Sequence, residues 1–442
     1  MRCPHLVLAC AAVAAVRVAP AQSVKVSPST LVAVSSPEHA ITEPHLAIDP
    51  THPERLIGAV YQASKPGLRF PAGQDEQTCA AFVSGDSGST WTKHEFTMTW
   101  CADPWVAITP DGQALVTMLG RHAAFPQQGN SGLVGFHSAD AGRTWDTLAI
   151  GLGRSHDHPT MAVDLGAGSR RGWIYLTSHR GRSADDGRIR YGVYVARSRT
   201  GGKAFDDAAY LIPNNLHNLT EIPVVLSDGT LIASFVDAAF FSTDTITAQQ
   251  RETLFERRRA WVVRSTDGGY TFSSPLFVTD ACGPPPGYRL SAFAADISKG
   301  QYDGRLYFAC RAVGGGPIVV TSSRDRGETW SAPVRMQATS RDSTTTPIPA
   351  IAVNDRSSVL VAWWGASGDA NDACGTNLYA SASTDGGKTF SPRTLVATCA
   401  GGGDYFGLVG VPGGRFRLLW PETRNGVRQL RTTLVEVAAP SP

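Results

Sequence analysis

One eight-residue phrase recurs six times along this chain of 442 residues. It reads SGDSGSTW from Ser84, SADAGRTW from Ser138, SRTGGKAF from Ser198, STDGGYTF from Ser265, SRDRGETW from Ser323 and STDGGKTF from Ser383. Five copies keep Ser-x-Asp-x-Gly-x-Thr-Trp/Phe, and the third is degenerate, with Thr200 in place of the Asp. Successive starts are 54, 60, 67, 58 and 60 residues apart. A period of that size means one supersecondary unit copied in series, so the fold is set by the repeat.

Each unit reads as a series of strands. A short apolar or alternating run precedes every phrase, bounded by Gly, Pro and Asp. These runs open at Pro44, Pro104, Pro159, Ile222, Arg289, Pro347 and Tyr405, and each is followed by a second run after a polar turn. There are thus seven openings for six phrases. The seventh unit runs through RFRLLWP and RQLRTTLVEV and then ends, one strand short. The segment from Val24 to Val34 precedes the first unit and is spare. It is expected to supply the missing outer strand, because an open series would leave unpaired edges.

Arg2, the apolar run from Leu6 to Val16 and Ala19-Pro20-Ala21 read as a secretory signal peptide over residues 1–21, followed by a mature chain over 22–442. A lipoprotein reading on Cys10 is the alternative. The expectation is a secreted or periplasmic protein with no membrane span. Arg2 and Arg17 account for the small basic excess, so the remaining chain is balanced in charge. No basic block with interleaved aromatics points to nucleic acid. Six cysteines lie beyond the leader, an even number suited to an oxidising compartment. Cys101, Cys282 and Cys399 each fall 16 or 17 residues after a phrase begins, and their nearest partners in sequence are Cys79, Cys310 and Cys374. The expected bridges are Cys79–Cys101, Cys282–Cys310 and Cys374–Cys399. Residues Thr247 to Arg259 lack Gly and Pro and predict a surface helix, either simply solvated or a rim helix shaping the pocket.

The repeated phrase resembles the Asp-box, or BNR repeat, of sialidases and their relatives. That resemblance implies an all-β propeller with the phrase on the turn between third and fourth strands, away from the functional face. Seven four-stranded blades in a single propeller follow from the seven openings, with six blades plus a terminal appendage as the alternative. In such a fold the starts of inner strands and the ends of second strands meet at one mouth. The starts carry Glu43 and His45, Asp103, His156-Asp157-His158, Glu221, Arg289 and Asp404-Tyr405. The ends carry Tyr61, Arg121-His122, His179-Arg180, Asp237, Arg311, and Glu422 with Arg424.

The resemblance further implies a Tyr nucleophile, carboxylates for acid–base work and arginines gripping a sugar carboxylate. By the segment DYFGLVGVPGGRFRLLWPE, Tyr405 matches the nucleophile and Glu422 the carboxylate that orients an arginine. Asp103, Asp157 and Glu221 are the acid–base candidates. Arg121, Arg180, Arg289, Arg311 and Arg424 are the candidates for substrate binding. The chain departs from the pattern at its first unit, where Glu43-Pro44-His45 stands in place of an Arg-Ile-Pro motif. EIPVVLSDGTLIASF puts Glu221 in the same frame, and only YRLSAF keeps an arginine, Arg289. A carboxylate at that place repels a carboxylate sugar. The expected function is therefore a glycoside hydrolase acting on glycans at the central funnel, without cofactor or metal. The alternative is a non-catalytic propeller that binds a glycan or a protein. Alternating His156-Asp157-His158 is the one short segment with the residue types of a metal site.

Overall fold

The computed structural model describes residues 22–64, 77–183, 189–211, 217–238, 258–283, 290–337, 348–367 and 374–438. Its strands form seven antiparallel sheets, six of them built from four consecutive strands and the last from the final three strands joined by the N-terminal ones. The innermost strands are His39–Ile48, Trp100–Ile108, His156–Val163, His217–Val225, Ala292–Ala295, Pro349–Val353 and Gly407–Val411. They contact one another around a ring, including the last against the first. This is a seven-bladed β-propeller, so the six-bladed alternative falls away. The short N-terminal strands Ser23–Val26 and Thr30–Val34 both pair antiparallel with the last strand, Val427–Ala438. They occupy the outer position that the seventh unit leaves open in sequence.

The repeated phrase folds the same way in each copy. In the first, Ser84 Oγ accepts the Gly88 N–H at 2.9 Å and donates to Asp86 at 2.8 Å. Asp86 in turn accepts the Thr90 N–H at 2.9 Å and the Thr90 hydroxyl at 2.6 Å. The side chain thus satisfies the backbone donors of a tight turn that no ladder can reach. The degenerate copy keeps the geometry, since Thr200 Oγ1 accepts the Ala204 N–H at 3.0 Å. The phrase's glycine holds a positive φ in every copy, and at Gly142 a Cβ would sit 2.8 Å from Ile57 of the preceding blade. Only glycine fits both demands. The closing aromatics Trp91, Trp145, Phe205, Phe272, Trp330 and Phe390 each pack against an apolar cluster between sheets.

Arginines then tie four of these turns to a neighbouring blade. Arg305 donates to Gly386 O at 2.5 Å, Arg197 to Gly268 O at 3.4 Å and Arg264 to Arg326 O at 3.4 Å. Arg417 of the last blade donates to Ser87 O of the first at 2.7 Å. These turns lie at the opposite end of each blade from the inner-strand starts, which leaves that other end open for function. The three disulfides form as expected: Cys79–Cys101 and Cys282–Cys310 join adjacent blades, and Cys374–Cys399 closes a loop within the sixth. The helix expected over Thr247 to Arg259 lies outside the described residues except for its last two, which already belong to the strand Arg258–Ser265. No helix of the described residues is long and apolar enough to cross a membrane.

The N-terminal strands give a direct test of this architecture. Deleting residues 22–34 uncovers the edge of Val427–Ala438 and is expected to lower the thermal midpoint and promote aggregation. Differential scanning calorimetry and light scattering read the outcome; an unchanged midpoint contradicts the pairing.

Candidate functional site

The inner strands of the first four blades share an interruption. Between Thr42 and His45, Ala102 and Trp105, Asp157 and Thr160, and Thr220 and Pro223, the inner strand advances by one residue more than its partner. Each is a β-bulge, the device that re-aims a side chain beside a site. In three of them the extra residue precedes a proline and sits in the left-handed region: Glu43 at φ 47°, Asp103 at φ 50° and His158 at φ 47°. Such a conformation costs a non-glycine residue about 1–3 kcal/mol, so the surrounding structure has to impose it. Its effect is to swing these side chains out of the pleat and toward the ring's axis.

What converges there is acidic. Glu43 is only 8% exposed; its Oε1 accepts the Asp404 N–H at 3.2 Å, while Oε2 meets no donor among the described residues. Its neighbouring acid is the Asp103 carboxyl. Burial first, then the charge of Asp404, pushes the Glu43 carboxyl up from its ordinary 4.5 to about 7. Asp103, partly buried, is raised well above its ordinary value by burial and by the charges of Glu43, Asp157 and Asp404. Both shifts favour keeping a proton at this pair of acids.

Asp157 stands in the opposite state. Burial works to raise its carboxyl, but the His179 Nε2 at 3.0 Å and the charges of His179 and His158 outweigh that and hold it below the ordinary value. Its side chain remains 42% exposed. One mouth thus presents a protonated pair and an ionised, reachable carboxylate.

Beneath them lies a cavity of about 150 Å³ lined by His45, Trp105, His158, Ile222, Leu290 and Tyr405, among others. His45 stacks on Trp105 with ring centroids 3.7 Å apart, and its Nδ1 accepts the Val106 N–H at 3.2 Å. His158 Nδ1 faces the Thr220 carbonyl oxygen at 3.4 Å, which requires a proton on Nδ1 and leaves Nε2 an acceptor. Burial lowers both rings, to about 3 and about 4, so both are neutral at physiological pH.

The remaining sequence candidates distribute unevenly. Tyr405 is 7% exposed, its hydroxyl donates to Pro104 O at 3.1 Å, and burial with the charges of Glu43, Asp103 and Asp404 raises it well above the ordinary phenol value. No arginine is among the charges acting on it. Glu221 is fully buried and accepts the Ser291 N–H at 3.2 Å. Glu422, 1% exposed, accepts the Trp420 indole N–H at 2.9 Å and pairs with Arg424 and with Arg431 at 3.4 Å. Arg180 lies over the Tyr194 ring at 5.0 Å, Arg121 is exposed at the end of its strand, and Arg311 is buried and donates to Gly315 O at 3.3 Å. Arg289 lies outside the described residues. Among the described residues no group of three or more His, Cys, Asp or Glu side chains is arranged to hold a metal ion. Glu43 is the residue that sequence reasoning left out of its acid–base set; its signal is the shared frame of Glu43-Pro44-His45 and Asp103-Pro104-Trp105.

No family model and no curated protein matches the chain. Solved structures do. A protein of unknown function from Dyadobacter fermentans is similar over 94% of this chain and 99% of its own, with a TM-score of 0.53 at 12% identity. The Hadza microbial sialidase Hz136 is similar over 93% and 96%, with a TM-score of 0.49 at 14% identity. Trypanosoma rangeli sialidase is similar over 90% of this chain, which spans 55% of that protein, with a TM-score of 0.44 at 12% identity. At these identities the likeness is one of fold, and the chemistry rests on this chain's own residues.

The protonated pair predicts a specific pH dependence of stability. Because the folded protein binds this proton more tightly than the unfolded chain, nothing is lost below pH 4.5, and stability falls as pH rises from there to about 7. The loss is at most about 3 kcal/mol. Glu43→Gln is expected to raise the thermal midpoint at pH 8 and to change it little at pH 4, read by calorimetry across pH.

Proposed function

We propose that this protein is an exported glycoside hydrolase that works through carboxylates at the propeller mouth rather than through a tyrosine nucleophile. One contrast carries the reading: Asp103 and Asp157, on adjacent blades, have surroundings that push their carboxyls apart, burial and neighbouring acids raising Asp103 while the His179 contact holds Asp157 down. Environments that push two carboxyls apart assign the acid and the base. Asp103 is the general acid, donating its proton to the leaving glycosidic oxygen, with Glu43 behind it holding that proton in place. Asp157 is the base, oriented by His179 and accessible enough to take a proton from water. Tyr405 supports the floor, since its hydroxyl is committed to Pro104 O and its ionisation is disfavoured by three neighbouring acids. Glu422, clasped by Arg424 and Arg431, anchors the last blade. Arg121 and Arg180 remain at the rim, where a longer glycan passes. Three disulfides and the N-terminal leader support an oxidising, extracytoplasmic compartment.

A panel of aryl glycosides, sialosides included, tests this assignment. Asp157→Asn and Asp103→Asn are expected to reduce kcat by about 10²–10⁴-fold, whereas Tyr405→Phe stays within a few-fold of the parent. Activity is expected to fall as pH rises past about 7 and the shared proton is lost. Loss of sialoside turnover in Tyr405→Phe alone overturns the assignment, and no turnover on any glycoside removes the enzyme.

A further inference from the structure

Among the described residues, the cavity and the acids above it offer acceptors, and that selects a ligand. Glu43 Oε2 is buried and, the neighbouring Asp103 carboxyl aside, meets no donor among the described residues. His158 is 4% exposed, lines the cavity, and presents an Nε2 with no partner among the described residues. With Nδ1 committed to the Thr220 carbonyl oxygen, that Nε2 can only accept. Asp157 adds an exposed, ionised carboxylate, and the Glu43–Asp103 pair keeps one negative charge when it holds one proton. The Tyr405 hydroxyl, a donor at this place, is already spent on Pro104 O. Two aromatic faces, Trp105 and Tyr405, stand beside these acceptors with ring centroids 5.7 Å apart.

We infer that the ligand entering this mouth carries a protonated primary amine, and that the substrate is an amino sugar with an unacylated nitrogen. An ammonium group brings three N–H donors and one positive charge, which matches the His158 Nε2 acceptor, the acidic groups and the aromatic faces together. An acetamido group brings one donor and no charge. A sugar carboxylate brings only further acceptors and meets repulsion from Asp157. The inference relies on the preceding reading only for the ligand's being a glycan.

Titration calorimetry on the full chain separates the two. The probes are a glucosamine tetramer, its fully N-acetylated counterpart, a neutral glucose tetramer and sialyllactose. The glucosamine tetramer is expected to bind about tenfold or more tightly than each other probe, as for a charge-assisted contact. That preference is expected to shrink with added salt and to disappear in Asp157→Asn, whose thermal midpoint shows that it is folded. Equal binding of the glucosamine and N-acetylglucosamine tetramers, or a preference for sialyllactose, overturns the inference. Amine-selective binding without turnover leaves it standing and removes the hydrolase, while hydrolysis of neutral glycosides without amine preference does the reverse.

Discussion

The site depends on a single backbone decision made in successive blades: a non-glycine residue placed in the left-handed region immediately before a proline. Proline disfavours helical geometry in the residue ahead of it, and an L side chain at positive φ is strained. Strands avoid both unless the ladder on either side pins them. Here it does, because each inner strand is paired to its neighbour above and below the bulge. The bulge therefore persists, and it places the Glu43 and Asp103 carboxyls of two different blades as neighbouring, interacting acids. Everything distinctive about the mouth follows from that contact, including the trapped proton, the raised tyrosine and the contrast with Asp157.

The opposite end of each blade makes the contact affordable. There, Asp–Thr turns, glycine close approaches and arginines reaching across to neighbouring turn carbonyls lock the blades in register. The Cys79–Cys101 bridge ties the first blade to the second, the same two blades that supply the carboxyl pair. Rigidity on one face thus supports strain and like charge on the other. This division matches the general pattern in which loops on a rigid scaffold carry function.

Much of this was legible in the sequence. Seven strand openings gave the blade count, six copies of one turn the strand order, and the spare Val24–Val34 segment matched an absent outer strand. The cysteines could be paired because Cys101, Cys282 and Cys399 each sit 16 or 17 residues after a phrase begins, with one other cysteine nearest to each in sequence. Asp103 and Asp157 were readable as strand starts at the mouth. The pairing of Glu43 with Asp103 was not, because it depends on two bulges acting together between residues distant in sequence. Tyr405 shows the converse limit: its segment resembles a nucleophile's, yet the burial and acidic neighbours that oppose its ionisation are properties of the assembled ring. The Thr200 copy carries a smaller lesson, since a hydroxyl replaces a carboxylate and the turn survives.

The central claim is that Glu43 and Asp103 share a proton at neutral pH. Infrared difference spectroscopy of the carboxyl carbonyl region, on the parent chain and on Glu43→Gln and Asp103→Asn, tests it most directly. The account predicts a protonated carboxyl band that persists in the parent to about pH 7 and is altered or lost in both variants. Complete ionisation of the parent's carboxyls within the ordinary range, near pH about 4, would contradict it.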